Sequence, residues 1–210
     1  MKMLWSGTDP ETNRLLFRVY AAEIPDTERK LRTRLSHLTA LDLLSAALLR
    51  DFGIRNGKIY RKGLEKPYLL HDSLYMNLSH CKGLAVAAVG VMPLGVDAET
   101  PRPVREHLLP RICTPEECDA VLNADDPEFL FSRLWTLKES YAKFTGEGIA
   151  LPFSSLGFTP GDTPVFHHPE ADQVQFYQIL LGNHHAVSLC VPRGEYDIIS
   201  NGKDDYHAGD

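Results

Sequence analysis

A chain of 210 residues, 43% hydrophobic and 24% charged, has the composition of a globular protein with enough length to bury a core. A net charge of −6 argues against a nucleic-acid binder, and no apolar run approaches the roughly 20 residues of a membrane span. The cysteines (Cys81, Cys113, Cys118, Cys190) lack C-x-x-C spacing, and Asp, Glu and Arg interrupt the opening MKMLWSGTDPETNRLLFRVY. A soluble, cytoplasmic protein with reduced thiols, no signal peptide and no membrane contact is expected.

Short apolar segments at 2–5 and 15–20 read as strands. DTERKLRTRLSHLTALDLLSAALLRDFG (26–53) reads as a helix, with Asp26 as N-cap and Gly53 as stop. A break near 36–39 is expected, because Asp42 would otherwise fall on the buried stripe. GLAVAAVG (83–90) and PLGVDAE (93–99) read as two neighbouring strands. A polar, proline-rich stretch follows. A second helix starts at about Pro127 and ends within WTLKESYAKFTGEGIALP (135–152), where Leu134, Leu137, Tyr141 and Phe144 recur at spacings of three and four. Gly146 and Gly148 stop it. FSSLGF, VQFYQILL and HHAVSLCV complete the strands, with Gly182 and Asn183 turning the last two into a hairpin.

Helix followed by strands occurs twice, and KGLAVAAVG faintly echoes NHHAVSLCV. The expected organisation is an N-terminal α/β half (1–100), a C-terminal α/β half (101–194) and a loose acidic tail (195–210), with a cleft between the halves.

Three stretches carry residues suited to chemistry. Glu139 and Lys143 lie opposite the apolar stripe of the second helix; as an ordinary exposed pair they are worth about 0.2–0.5 kcal/mol. In GVDAET (95–100), Asp97 and Glu99 share one side of a strand, where they repel unless a cation sits between them. Two carboxylates hold Mg²⁺ weakly, and Glu139 would make a third ligand. The alternative is an exposed acidic turn. In NLSHCKG (77–83), Ser79 and His80 could donate to a phosphate and Lys66 of EKPY could add a charge, against the plainer reading of a polar loop. His167, His168, His184 and His185 read as surface residues in turns. RKLRTR (29–34) reads as a solvated helix face that would equally suit nucleotide phosphates. No P-loop, G-x-G-x-x-G, H-E-x-x-H or zinc spacing occurs.

Taken in order, KP, NLSH, GVDAE and W-x-x-K-E-S-x-x-K-x-x-G-x-G resemble the surfactin-type 4′-phosphopantetheinyl transferases over about residues 60–152. The resemblance implies an α/β fold built as a pseudo-twofold pair of halves. It implies Mg²⁺-dependent transfer of phosphopantetheine from coenzyme A to a serine of an acyl, polyketide or peptidyl carrier protein, releasing adenosine 3′,5′-bisphosphate. Carried over by motif position, Asp97, Glu99 and Glu139 would hold Mg²⁺, and Lys143 would contact the diphosphate. Lys66, Ser79 and His80 would contact the nucleotide, with Glu139 and Lys143 as catalytic residues. Trp135 would pack against the other half. Two departures stand out: Cys81 replaces the family's Ser after S-H, and the first helix lacks the family's nucleotide-binding Arg, a role open to Lys30, Arg32 or Arg34. The rivals are a catalytically weak coenzyme A or carrier-binding module and a Mg²⁺-dependent nucleotide phosphohydrolase. The stretch 102–117, joining Arg102, Arg105 and Arg111 to Leu108 and Leu109, reads equally as a docking surface for an acidic carrier or as a plain surface loop. A chain of two halves is expected to act as a monomer.

Overall fold

The computed structural model describes residues 1–201 apart from Lys62, Leu64, Glu65, Asp72, Asp162, Asn183 and His184, and the backbone alone of Arg29, Lys30 and Ile149. In chain order the elements are β1 (Lys2–Thr8), β2 (Leu15–Glu23), α1 (Arg29–Phe52), β3 (Ile59–Tyr60), β4 (Tyr68–Leu69), β5 (Tyr75–Cys81), β6 (Leu84–Gly90), β7 (Gly95–Glu99), α2 (Pro115–Leu122), α3 (Pro127–Thr145), β8 (Gly157–Thr159), β9 (Val165–His167), β10 (Val174–Leu181), β11 (His185–Pro192) and β12 (Asp197–Ser200). Among the described residues no helix is long and apolar enough to cross a membrane.

The topology repeats. In the first half a strand (β2), a helix (α1) and a hairpin (β5, β6) give the order β2-β6-β5. In the second, β7, α3 and the hairpin of β10 and β11 give β7-β11-β10, all pairings being antiparallel. The echo of KGLAVAAVG in NHHAVSLCV thus falls on β6 and β11, the middle strand of each repeat. β1 and β12 extend the first sheet to five strands, and the second has three.

Four layers result. Ala40, Leu43, Leu44, Ala47 and Leu48 form one stripe of α1 and pack on Ala85, Ala87 and Val89 of β6. The opposite face of β6, with Leu84, Val86 and Ala88, packs against Val96 and Ala98 of β7 and Val187, Leu189 and Val191 of β11. Leu134, Leu137 and Tyr141 of α3 cover the outer side of the second sheet together with Phe176 and Cys190. Burial on both faces explains why β6 is apolar throughout, each such Leu or Val contributing roughly 1.5–3 kcal/mol. All four cysteines are free thiols, as expected.

Several expectations are corrected. α1 is unbroken, because its buried stripe leaves Asp42 on the exposed face. Glu28, without a side-chain cap bond, occupies its N-cap, and Asp26 instead accepts from Arg32 at 3.3 Å. β6 and β7 are successive but unpaired: β2 and β5 already occupy both edges of β6, and β7 crosses to the other sheet to pair with β11. The polar stretch after residue 100 contains α2, begun by a capping box in which Thr114 accepts from Glu117 N and Glu117 accepts from Thr114 N. NLSHC is strand rather than loop. The tail expected to be loose supplies β12, whose backbone pairs with Trp5, Ser6, Gly7 and Thr8. The remaining tail residues, 202–210, lie outside the described part, as do Asn183 of the expected turn, His184 and the side chain of Lys30.

Candidate active site

Gly95 decides how α3 meets β7. A Cβ at this position would lie 2.0 Å from Ser140 O and 2.5 Å from Phe144 N, so only glycine lets the helix approach so closely. α3 itself begins with Pro127 behind Asp126, which accepts from Phe129 N at 3.0 Å, and ends at Gly146 with φ of 84°. Its last turn then brings Lys143 against Asp97, two residues beyond Gly95. Lys143 Nζ donates to Asp97 Oδ1 at 2.7 Å, to Ser79 Oγ at 3.0 Å and to Val96 O at 3.1 Å. An ammonium has three protons, and all three are used.

Ser79 is equally committed. Its hydroxyl donates to Asp97 Oδ1 at 2.7 Å and accepts from Ala98 N at 3.2 Å, besides accepting from Lys143. In this arrangement the single proton of Ser79 goes to Asp97 rather than to the cavity. His80, the next residue on β5, is exposed and lies on the opposite face of the strand. Burial first, then the charge of His37 on α1, lowers its pKa. Lys66 donates to Leu94 O at 2.8 Å, and burial pushes its pKa down to about 8.

Burial disfavours the ionised form of two carboxylates here, and the Asp97 charge adds to the effect. Glu99 reaches Arg102 at 2.9 Å, yet burial, aided by the charge of Asp97, pushes its carboxyl up to about 7. Burial and then the Asp97 charge also raise Glu139, partly offset by Lys143. Asp97 Oδ2 is buried without a hydrogen-bond partner among the described residues. An orphaned carboxylate oxygen beside two destabilised carboxyls is a donor set suited to a hard divalent cation. Among the described residues no three such groups are gathered into a ready cage: Glu99 is turned to Arg102 and Asp97 to Lys143. Beside them, a cavity of about 280 Å³ is lined by Arg61, Lys66, Asn77, Glu139 and Lys143. A larger one, about 730 Å³, lies elsewhere, by Glu23, Gly83 and His185, with none of the expected site residues in its lining.

Trp135 packs against Phe131 and Phe153, with the Arg102 guanidinium 5.2 Å from its ring centre. These neighbours belong to the C-terminal half, so packing on the other half is corrected. In the stretch 102–117, Arg102, Arg105 and Arg111 are exposed while Leu109 is core. His167 hydrogen-bonds Thr159 Oγ1, and His185 Nε2 lies 2.9 Å from Lys82 O. Residues missed from the sequence are Asn77, which accepts from Val96 N at 2.8 Å, and the buried pair of Lys138 and Glu117. The T-x-x-E spacing of Thr114 and Glu117 was a readable signal; nothing comparable marks Asn77.

Comparison with known proteins agrees with the motifs. A 4′-phosphopantetheinyl transferase of Bacillus subtilis is 29% identical over 154 residues, 70% of this chain and 68% of its own. 4′-phosphopantetheinyl transferase HetI of Nostoc sp. is 40% identical over 95 residues, 42% of this chain and 40% of its own. The psf-1 enzyme of Bacillus pumilus is 35% identical over 86 residues, 40% of this chain and 37% of its own. The matches thus span 37–68% of these relatives' lengths. Among solved structures, holo-[acyl-carrier-protein] synthase of Thermotoga maritima superposes with a TM-score of 0.40 at 21% identity, covering 50% of this chain and 64% of its own. The profile of the 4′-phosphopantetheinyl transferase superfamily matches residues 93–198, half of the chain, and takes in β7 with Asp97 and Glu99 and α3 with Glu139 and Lys143. The chain belongs to the 4′-phosphopantetheinyl transferase superfamily.

Proposed function

We propose that this protein transfers 4′-phosphopantetheine from coenzyme A to a serine hydroxyl of an apo carrier protein, with Mg²⁺ held by Asp97, Glu99 and Glu139. The observation that carries the reading is that Glu139 and Lys143 line one cation-rich cavity while Lys143 also holds Asp97, in a chain of this family. When bound, Mg²⁺ supplies charge neutralisation of the diphosphate and of the leaving oxygen.

The side chains divide the remaining work. Arg61, Lys66 and Lys143 give the cavity the positive charge that a diphosphate needs. A diphosphate oxygen competes with Val96 O for a proton of Lys143, whose cation then stands where negative charge develops. Glu139, with its carboxyl raised by burial, is the proton acceptor for the carrier serine. The serine Oγ–P bond forms as the P–O bond to the nucleotide side breaks, the serine proton passes to Glu139, and adenosine 3′,5′-bisphosphate leaves. On this reading His80 and Arg34, both exposed, serve the adenosine end, and the exposed Arg102, Arg105 and Arg111 an acidic carrier.

The test is to incubate the protein with coenzyme A, Mg²⁺ and an apo carrier protein and to weigh the carrier. A gain of the phosphopantetheine mass is expected. Cleavage of coenzyme A with the carrier unchanged would indicate a hydrolase, and binding alone a binding module.

A further inference from the structure

β7 is an edge strand of its sheet: one side pairs with β11, and the other faces β5, which edges the first sheet. Residues 94, 96 and 98 present their backbone groups to that outer side. Side chains take the place of a neighbouring strand along it. Lys66 Nζ donates to Leu94 O at 2.8 Å, Asn77 Oδ1 accepts from Val96 N at 2.8 Å, Lys143 Nζ donates to Val96 O at 3.1 Å, and Ser79 Oγ accepts from Ala98 N at 3.2 Å. Asn77 and Ser79 are 6% and 7% exposed, so no solvent stands ready to replace them. They are alternate residues of β5, and both N–H groups they satisfy would otherwise be buried without a partner.

The ladder has a second effect, on Asp97. Ser79 accepts from Ala98 N and from Lys143, so its own proton is left for Asp97 Oδ1. With Lys143 on the same oxygen, two donors hold Oδ1 and the carboxylate cannot rotate. Oδ2, buried and without a partner among the described residues, is the oxygen left over. We propose that Asn77 and Ser79 are positioning residues, which complete the open edge of β7 and fix the Asp97 carboxylate with Oδ2 presented to a divalent cation. This rests on the reading of Asp97 as a cation ligand. It also assigns the N-x-S of β5 a task distinct from contact with a phosphate.

The test titrates Mn²⁺ alone into wild type, Ser79→Ala, Ser79→Thr, Asn77→Ala and Asp97→Asn, following free Mn²⁺ by electron paramagnetic resonance. Amide exchange of Val96 and Ala98 is measured on the same metal-free proteins. Ser79→Ala and Asn77→Ala should weaken Mn²⁺ binding by about tenfold or more, the scale on which outer partners of metal ligands act. Ser79→Thr, which keeps the hydroxyl, should restore it. Ala98 should exchange faster in Ser79→Ala, and Val96 in Asn77→Ala. Wild-type Mn²⁺ affinity in both alanine variants, with Asp97→Asn weakened, overturns the positioning role alone. Equal binding by wild type and Asp97→Asn, or none by either, overturns the cation reading and this proposal with it. Should one alanine variant not fold, the other carries the same decision.

Discussion

Lys138 Nζ lies 2.6 Å from Glu117 Oε2, and neither side chain reaches solvent appreciably. Lys138 also donates to the carbonyls of Phe153 and Leu156, and Glu117 accepts from Thr114 N and Phe158 N. One ion pair therefore pins α2, α3 and the chain leading into β8 together, directly beside Glu139 in sequence. Lys138→Met leaves Glu117 buried without its counter-ion and should cost about 3–5 kcal/mol in urea unfolding. The double change to Lys138→Met with Glu117→Leu should cost less than the single, because no charge is then stranded.

Glu139→Gln should separate activity from stability. Loss of the proton acceptor should lower turnover by about 10²-fold or more. The fold should gain, because burial and the Asp97 charge raise the Glu139 carboxyl. A carboxyl raised in the folded state makes stability fall as pH rises from its ordinary value through the shifted one. At pH 7 without divalent cations the variant should therefore melt higher than wild type, with the gap closing as pH falls toward the ordinary carboxyl range. Thermal melts across that range check the sign; a lower Tm at pH 7 would contradict it.

Lys143→Met removes the counter-ion of Asp97, 2.7 Å away, as well as a cation of the cavity. The stability loss should be about 2 kcal/mol, the scale of a hydrogen bond to a charged group. Mg²⁺ should raise the Tm of the variant more than that of wild type. Turnover should fall more than coenzyme A affinity, since this charge counts most as the diphosphate breaks. Steady-state kinetics with a separate binding titration checks the division.

Lys66 holds a different kind of strain, with burial pushing its pKa down to about 8. Below that value the folded protein carries a buried charge at a cost; between about 8 and the ordinary 10.5 the folded state sheds the proton before the unfolded one does, so stability rises with pH. Lys66→Met removes the effect. The Tm of wild type relative to this variant should climb from pH 8 to 10.5, and coenzyme A binding should be weaker in the variant at pH 7. Parallel Tm curves would show that Lys66 is not strained.

Gly95→Ala should be among the most damaging single-methyl changes, since the added carbon meets the backbone of Ser140 and Phe144 rather than a movable side chain. A loss of about 3 kcal/mol is expected, together with weaker metal binding as α3 shifts Lys143 away from Asp97. Calorimetry and Mn²⁺ titration read the two effects.

Much of this site was legible because its parts lie in short, local patterns. Glu139 and Lys143 are placed by helix period, and Asp97 by strand alternation. β6, the strands of the second hairpin and the stops at Gly53 and Gly146 follow from local chemistry in the same way. What escaped depends on contacts between distant residues. Whether β7 joins β6 or β11 is decided by which edges are already taken. Lys138 looks like a surface lysine until Glu117, 21 residues earlier, is known to face it. Ser79 and Asn77 read as polar loop residues because their partners, Ala98 N and Val96 N, are backbone groups that any sequence would supply.

The pairing of β12 with β1 has a consequence for the order of events during synthesis. β1 begins at Lys2, and its outer neighbour begins only at Asp197. Until that segment leaves the ribosome, β1 presents an open row of backbone groups, the kind of edge along which nascent chains cling to one another. Translation stopped short of residue 197 would release a product able to form both hairpins and both long helices, but with that row exposed. Such products should accumulate in the insoluble fraction more than full-length chains do.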